Sequence, residues 1–265
     1  MRAYVEGVGL AGPGLRGWQA SRAILAGDHS YSFAPTAIAA SELLPAAERR
    51  RAGTPVKLAL AAGQEAHANA ARDAAATATV FASSSGDCDN VHHMLEALAS
   101  PERQISPTRF HNSVHNVAAG YWSIATQCRA PSTSLCCHDA SFAAGLLEAA
   151  CQVVAAGAPV ALIAYDHSYP EPLSRVRPIP GDFGVAILLA PQATERTAAA
   201  LDITFAPQER DASRAADREL EKLRASVPAA RCLPLLAALA RGSRETVILE
   251  YVAGTHLRID VDPCS

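Results

Sequence analysis

Residues 105–157 read ISPTRFHNSVHNVAAGYWSIATQCRAPSTSLCCHDASFAAGLLEAACQVVAAG, and this stretch decides the fold. Val114, Val117, Ala118, Tyr121 and Ile124 recur at three- and four-residue spacing, which predicts a helix over Asn112–Cys128. The turn Arg129-Ala130-Pro131-Ser132 ends it. A short strand over Ser132–Cys137 follows, then a second helix over Asp139–Ala156, closed by Gly157 as a helix-ending glycine does. Outward from this unit, PVALIAY (159–165) and GVAILL (184–189) are continuous apolar runs, the signature of strands buried on both faces. Upstream, Ala3–Leu10 and Thr79–Ser84 read as strands, and Leu15–Leu25, Pro55–Ala71 and Val91–Ala99 as helices. The alternation predicts an α/β layered domain.

The tail has a different texture. Asp211–Arg224 is the most charged window and reads as an exposed helix or linker. Leu233–Ala240 is a short apolar helix, and Val247–Tyr251 with His256–Val261 forms a hairpin turning at Gly254. The expected division is therefore a main domain over 1–192 and a helical segment with a β-hairpin appendage over 193–265.

Composition narrows the function classes. Hydrophobic residues are 49% and charged residues 18% of 265, enough apolar surface for a large core. The net charge is −3 with no basic stripe, so no nucleic-acid partner is expected. No apolar run reaches the roughly 18 residues of a bilayer span, and the N-terminus makes a poor signal peptide, so no membrane partner and a cytoplasmic location are expected. Seven cysteines (88, 128, 136, 137, 151, 232, 264) have no framework spacing and no CxxC, so they read as small buried hydrophobes.

Several residue patterns invite chemistry. Asp139 stands at a predicted helix start, where its carboxylate would cap a free amide. Cys137-His138-Asp139 suggests a Cys/His/Asp site, but strand neighbours point to opposite faces and do not form one. His111 and His115 form an i, i+4 pair without HExxH or a completing carboxylate, so no metal is expected. Gly7, Gly9 and Gly12 make a lone GxGxxG with no acidic partner strand, and Ser83–Gly86 is neither a P-loop nor GxSxG, so no cofactor is expected.

The 105–157 segment resembles the centre of a β-ketoacyl synthase with its nucleophile removed. Asn116 and Gly120 on the first helix, the Arg129–Ser132 turn, the strand and the second helix follow that family's order, and the likeness runs over roughly residues 1–190. The family's catalytic Cys sits about eight residues after the turn proline, and eight from Pro131 is Asp139, while Cys137 falls two short. No HGTGT-like or KSxxGH-like string supplies the family's histidines. The resemblance implies a thiolase-like half, helices layered around a mixed five-stranded sheet, with Asp139 as a vestigial nucleophile position. It further implies a chain-length-factor-like, non-catalytic subunit of type II polyketide or aryl polyene synthesis. Such a subunit pairs with a complete β-ketoacyl synthase and meets an acyl carrier protein only indirectly. Thr108, Arg109, Phe110 and His111 would then shape the acyl channel at the subunit contact, with Asn116 part of the same pocket or interface. Alternatives from the same residues are a stand-alone acyltransferase using Cys137 and a purely structural partner.

Overall fold

The computed structural model describes residues 1–38, 41–207 and 211–264. In chain order the elements begin with strand β1 (Arg2–Gly12), β2 (Leu15–Arg16), helices α1 (Trp18–Ala26), α2 (Ala46–Arg51) and α3 (Thr54–Ala70), then β3 (Ala78–Ala82). Helices α4 (Cys88–Ala99), α5 (Pro107–Asn112) and α6 (Val117–Thr126) lead to β4 (Ser132–Leu135). Next come α7 (Ser141–Ala156), β5 (Val160–Asp166), α8 (Leu173–Val176) and β6 (Phe183–Ala190). The tail holds β7 (Ala199–Pro207), α9 (Arg218–Ser226), α10 (Leu233–Arg241), β8 (Glu245–Glu250) and β9 (Thr255–Pro263).

All nine strands among the described residues lie in one sheet, ordered β4-β3-β5-β6-β1-β7-β9-β8, with β2 paired to β1. The first five are the mixed sheet the resemblance implies: β4, β3 and β5 are parallel, and β6 and β1 are antiparallel additions. This is the thiolase-like α/β fold. The sheet does not stop at five, however. Residues 2–5 of β1 offer their free edge to β7, with Ala3 opposite Leu201, and β9 and β8 extend it. The hairpin expected as an appendage is thus the outer edge of the same sheet. β7 escapes sequence reading because it opens on small Ala199 and Ala200, and its Leu201/Ile203 alternation is short.

The centre of the sheet is covered on both faces. Helices α3 and α6 cover one side with Leu58, Tyr121 and Trp122, and α7, α1, α10 and the turn Pro228–Cys232 cover the other. Over the tail strands, only one face is apolar. Leu201, Ile203, Leu257, Ile259 and Val247 join the core, while Asp202, Arg258 and Asp260 are partly exposed, as in an antiparallel sheet wet on one side. Gly7 and Gly9 let α3 approach β1: a Cβ there would lie 2.1 Å from the Ala66 carbonyl oxygen and 1.9 Å from that of Ala62. Helix packing therefore accounts for the glycine run.

Two helices differ from expectation. The predicted 112–128 helix is broken at Ser113–Asn116, where the Ser113 hydroxyl donates back to the Phe110 carbonyl and competes with the helical bond. Helix α7 begins two residues late, after a 3₁₀ turn over His138–Ala140, and ends as predicted at left-handed Gly157. The stretch His138–Ala156 is long and apolar enough to cross a bilayer, but half of it is buried in this fold, against β3 and β5.

A register shift between Val5 and Gly7 turns Glu6 inward, where its side chain has no solvent exposure. Arg72 donates to it twice, at 2.7 and 2.8 Å, and Thr194 donates at 2.7 Å. Burial pushes this carboxyl up, but the bonds from Arg72 and Thr194 outweigh it and hold it below the ordinary value of 4.5. A depressed folded-state value means that the stability Glu6 supplies is present above pH 4.5 and lost as pH falls through the folded value. Glu6→Gln should cost about 2 kcal/mol at neutral pH. In urea titrations at pH 7, 5 and 3, its deficit against the parent protein should shrink with acid.

Candidate functional site

The carboxyl ends of β3, β4 and β5, where open α/β sheets carry their sites, bring together Ser83-Ser84, Cys136–Asp139 and Asp166–Tyr169. Asp166 ends the all-apolar run of β5 and is 1% exposed. Its Oδ1 accepts from the Ser84 N–H (2.9 Å), the Ser84 hydroxyl (2.6 Å) and the Ser83 hydroxyl (3.3 Å), and its Oδ2 from the Ala229 N–H (2.8 Å). The Tyr169 hydroxyl sits 3.1 Å from that of Ser84. Burial pushes the Asp166 carboxyl up to about 6 against the lowering pull of these donors. Sequence reading missed Asp166; its signal was a charged residue closing a both-faces-buried strand.

The Ala229 contact comes from the turn Pro228–Cys232, whose Ala229, Ala230 and Cys232 are buried. This turn packs on β5, β6, α7 and the His138–Ala140 turn, so the tail covers the strand ends.

Asp139 does not cap α7. The 3₁₀ turn shifts the helix start to Ala140–Ser141, and no side chain caps that end. The Ser141 hydroxyl braces the turn instead, accepting from the Cys137 N–H at 3.0 Å and donating to the His138 carbonyl at 2.7 Å. Asp139, its side chain 43% exposed, accepts from Arg177 at 2.7 Å and from Arg231 at 3.2 Å. Arg231 also pairs with Glu250 on β8, and burial lowers its affinity for its proton despite Asp139. The position the resemblance assigns to a nucleophile is an ion-pair node joining α7 to the tail.

The remaining candidates do not converge. The Cys136 thiol donates to the Ser84 carbonyl at 3.1 Å, and half-buried Cys137 is held through its backbone. His138, in left-handed conformation, is largely exposed with Nδ1 3.5 Å from Asp139. The helix break separates His111, whose ring lies edge-on to Tyr121 at 6.3 Å, from His115, which faces the Ser83 carbonyl at 3.2 Å. No cluster of three metal-ligating side chains occurs among the described residues. Thr108, Arg109, Phe110 and His111 all lie on α5; Phe110 is 65% exposed, and Asn116 is exposed at the start of α6.

An open apolar groove of about 470 Å³ runs between α4 and α8, lined by Cys88, Val91, Leu95, Pro170, Leu173 and Val176. Val176 is 81% exposed, and the next residue, Arg177, holds Asp139. Its walls offer almost no polar groups and suit an apolar chain or side chains of another subunit.

Residues 18–249 match the family described as beta-ketoacyl synthase, N-terminal domain, well past the boundary expected near 192. Among solved structures, the chain is similar to the ketosynthase in complex with its chain length factor from Xenorhabdus doucetiae, at TM-score 0.75 and 20% identity, covering 99% of both chains. It is also similar to the ishigamide ketosynthase/chain length factor (TM-score 0.75, 16% identity, 100% of both chains). A beta-ketoacyl synthase from Burkholderia phymatum STM815 matches at TM-score 0.73 and 11% identity, again over 100% of both chains. No curated protein matches the chain.

Two outcomes check this site. Asp139→Ala and Arg231→Met should each lower stability by about 1 kcal/mol, the partial exposure of Asp139 limiting the effect. The double variant should lose less than their sum in a urea-unfolding cycle. Because the folded value of Asp166, about 6, lies above 3.8, the folded chain binds that proton more tightly than the unfolded chain. The stability attributable to Asp166 should therefore fall as pH rises from about 4 to 6, by at most about 3 kcal/mol, and then level off. Asp166→Asn should remove that slope in unfolding curves taken from pH 4 to 7.

Proposed function

From the premise that the chain belongs to the beta-ketoacyl synthase N-terminal-domain family, we propose that it is a ketosynthase-like subunit that performs no condensation itself. It pairs with a complete β-ketoacyl synthase as a chain length factor in type II polyketide synthesis of the aryl polyene kind, in the cytoplasm. The observation that carries this reading is Asp139. Its carboxylate has no sulfur to carry an acyl group as a thioester, and Arg177 and Arg231 already engage it. The turn Pro228–Cys232, buried over the strand ends, leaves the chain's own tail where a substrate would enter.

Two surfaces support pairing. β4 is an edge strand, so one row of its backbone donors and acceptors faces away from the sheet, open to a partner strand. Most of the apolar side of α6 is already used: Val117, Ala118, Tyr121 and Trp122 are buried within the chain. The contact from this region therefore falls to α5 and the turn after it, through exposed Phe110 and Val114. There Thr108, Arg109, Phe110 and His111 would wall the partner's acyl channel.

Co-expression with a complete ketosynthase should give a heterodimer by light scattering, with an interface above about 2,000 Å². Alone, the chain should neither condense malonyl units nor acquire an acyl group on Cys137 by intact mass. Phe110→Ala and Phe110→Trp should shift product length in opposite directions and keep the complex. Acylated Cys137 with turnover by the isolated chain would favour the acyltransferase alternative. A stable complex whose product length ignores every substitution at 108–111 would favour the purely structural one.

A further inference from the structure

Helix α4 has twelve residues, and Asn90 is the one that is buried. Val91, Leu95 and Leu98 recur at i, i+4 and i+7, so they share one face of the helix, and all three are exposed. An amphipathic helix in water turns such a stripe toward a core; here the stripe faces out. Leu173 and Val176 of α8 stand across the groove from Val91 and Leu95, and both are exposed as well. The groove walls carry almost no polar group that would orient the head of a small ligand. Side chains of a second protein need no such group, because their own backbone holds them in place.

We propose, resting on the reading above, that the α4 stripe and the α4–α8 groove seat apolar side chains of the complete ketosynthase. Size is the first argument. β4 and α5 hold four and six residues, whereas a standard interface takes about 20–30 residues a side. The twelve residues of α4 and the four of α8 supply what those two elements lack. Continuity is the second. The Asn90 side chain of α4 donates to the Arg109 carbonyl on α5 at 2.7 Å. Cys136, just past β4, donates its thiol to the carbonyl of Ser84, in the loop leading to α4, at 3.1 Å. The edge strand, α5 and α4 are thus tied to one another and can meet one partner together. Charge is the third. Asp89 and Glu96 on α4 and Glu171 on the groove wall are exposed carboxylates, which disfavour an anionic membrane surface as the occupant.

The test measures affinity for the complete ketosynthase that co-expresses with the full chain as a heterodimer. Leu95→Asp/Val176→Asp should weaken pairing by about tenfold or more, because each carboxylate would be buried on an apolar seat. Leu95→Met/Val176→Ile should pair like the parent chain. So should Phe205→Asp, which places the same charge at an exposed site on β7, beyond the centre of the sheet. A second readout needs no substitution: amide hydrogen exchange over 88–99 should slow when the parent chain pairs. No pairing by the parent chain would overturn the chain-length-factor reading and this seat with it. Pairing that the double Asp variant leaves unchanged, or exchange over 88–99 that pairing leaves unchanged, would overturn the seat alone. An unaltered complex that yields shorter products would give the groove to the acyl chain and overturn the proposal. So would a homodimer of the parent chain that Leu95→Asp dissolves and the ketosynthase does not displace, which would give the stripe to a second copy.

Discussion

A carboxylate buried away from water is costly unless donors surround it, and Asp166 is surrounded by four: two Ser hydroxyls and two backbone amides. Those donors come from the loop after β3 and from a turn 63 residues beyond Asp166 itself. One side chain thereby ties the parallel half of the sheet to the tail. The geometry sets where everything around it can sit. With Ala229 fixed on Asp166, the Pro228–Cys232 turn lies across the strand ends and brings Arg231 to Asp139.

That arrangement changes what the start of α7 can do. A helix start at a strand end is where a nucleophile gains from the helix dipole. Here the same place holds an acid shared between two arginines, and the helix proper begins beyond a 3₁₀ turn. Arg177 follows α8 directly, so the ion pair at Asp139 also positions one wall of the apolar α4–α8 groove. Stability at the strand ends and the shape of the outer surface are coupled through one loop.

Apolar surface remains outside the core on α4, α5 and α8, at Leu95, Phe110 and Val176. Leu95 and Val176 share the α4–α8 groove, and contiguous exposed apolar groups of that kind belong to interaction surfaces more often than to free ones.

The apolar runs of β5 and β6, the glycine after α7 and the order of elements through residue 190 were legible in the sequence because each is a local pattern: period, continuity, or a terminal residue with special backbone freedom. The sequence also placed Asp139, by its resemblance to the family, where the family carries a cysteine. The break between α5 and α6 was not legible, because Val114 fits the helical period and yet lies exposed where a serine back-bond ends the helix. Nor was the role of Asp139. Its partners lie 38 and 92 residues away, and a local reading sees only a good helix cap. The tail's membership in the sheet depended on the free edge of β1, a strand at the other end of the chain. Sequence alone determined the α/β class. The tertiary structure decided what holds Asp139 and what extends the sheet, because hydrogen bonds and ion pairs between distant residues leave no periodic trace.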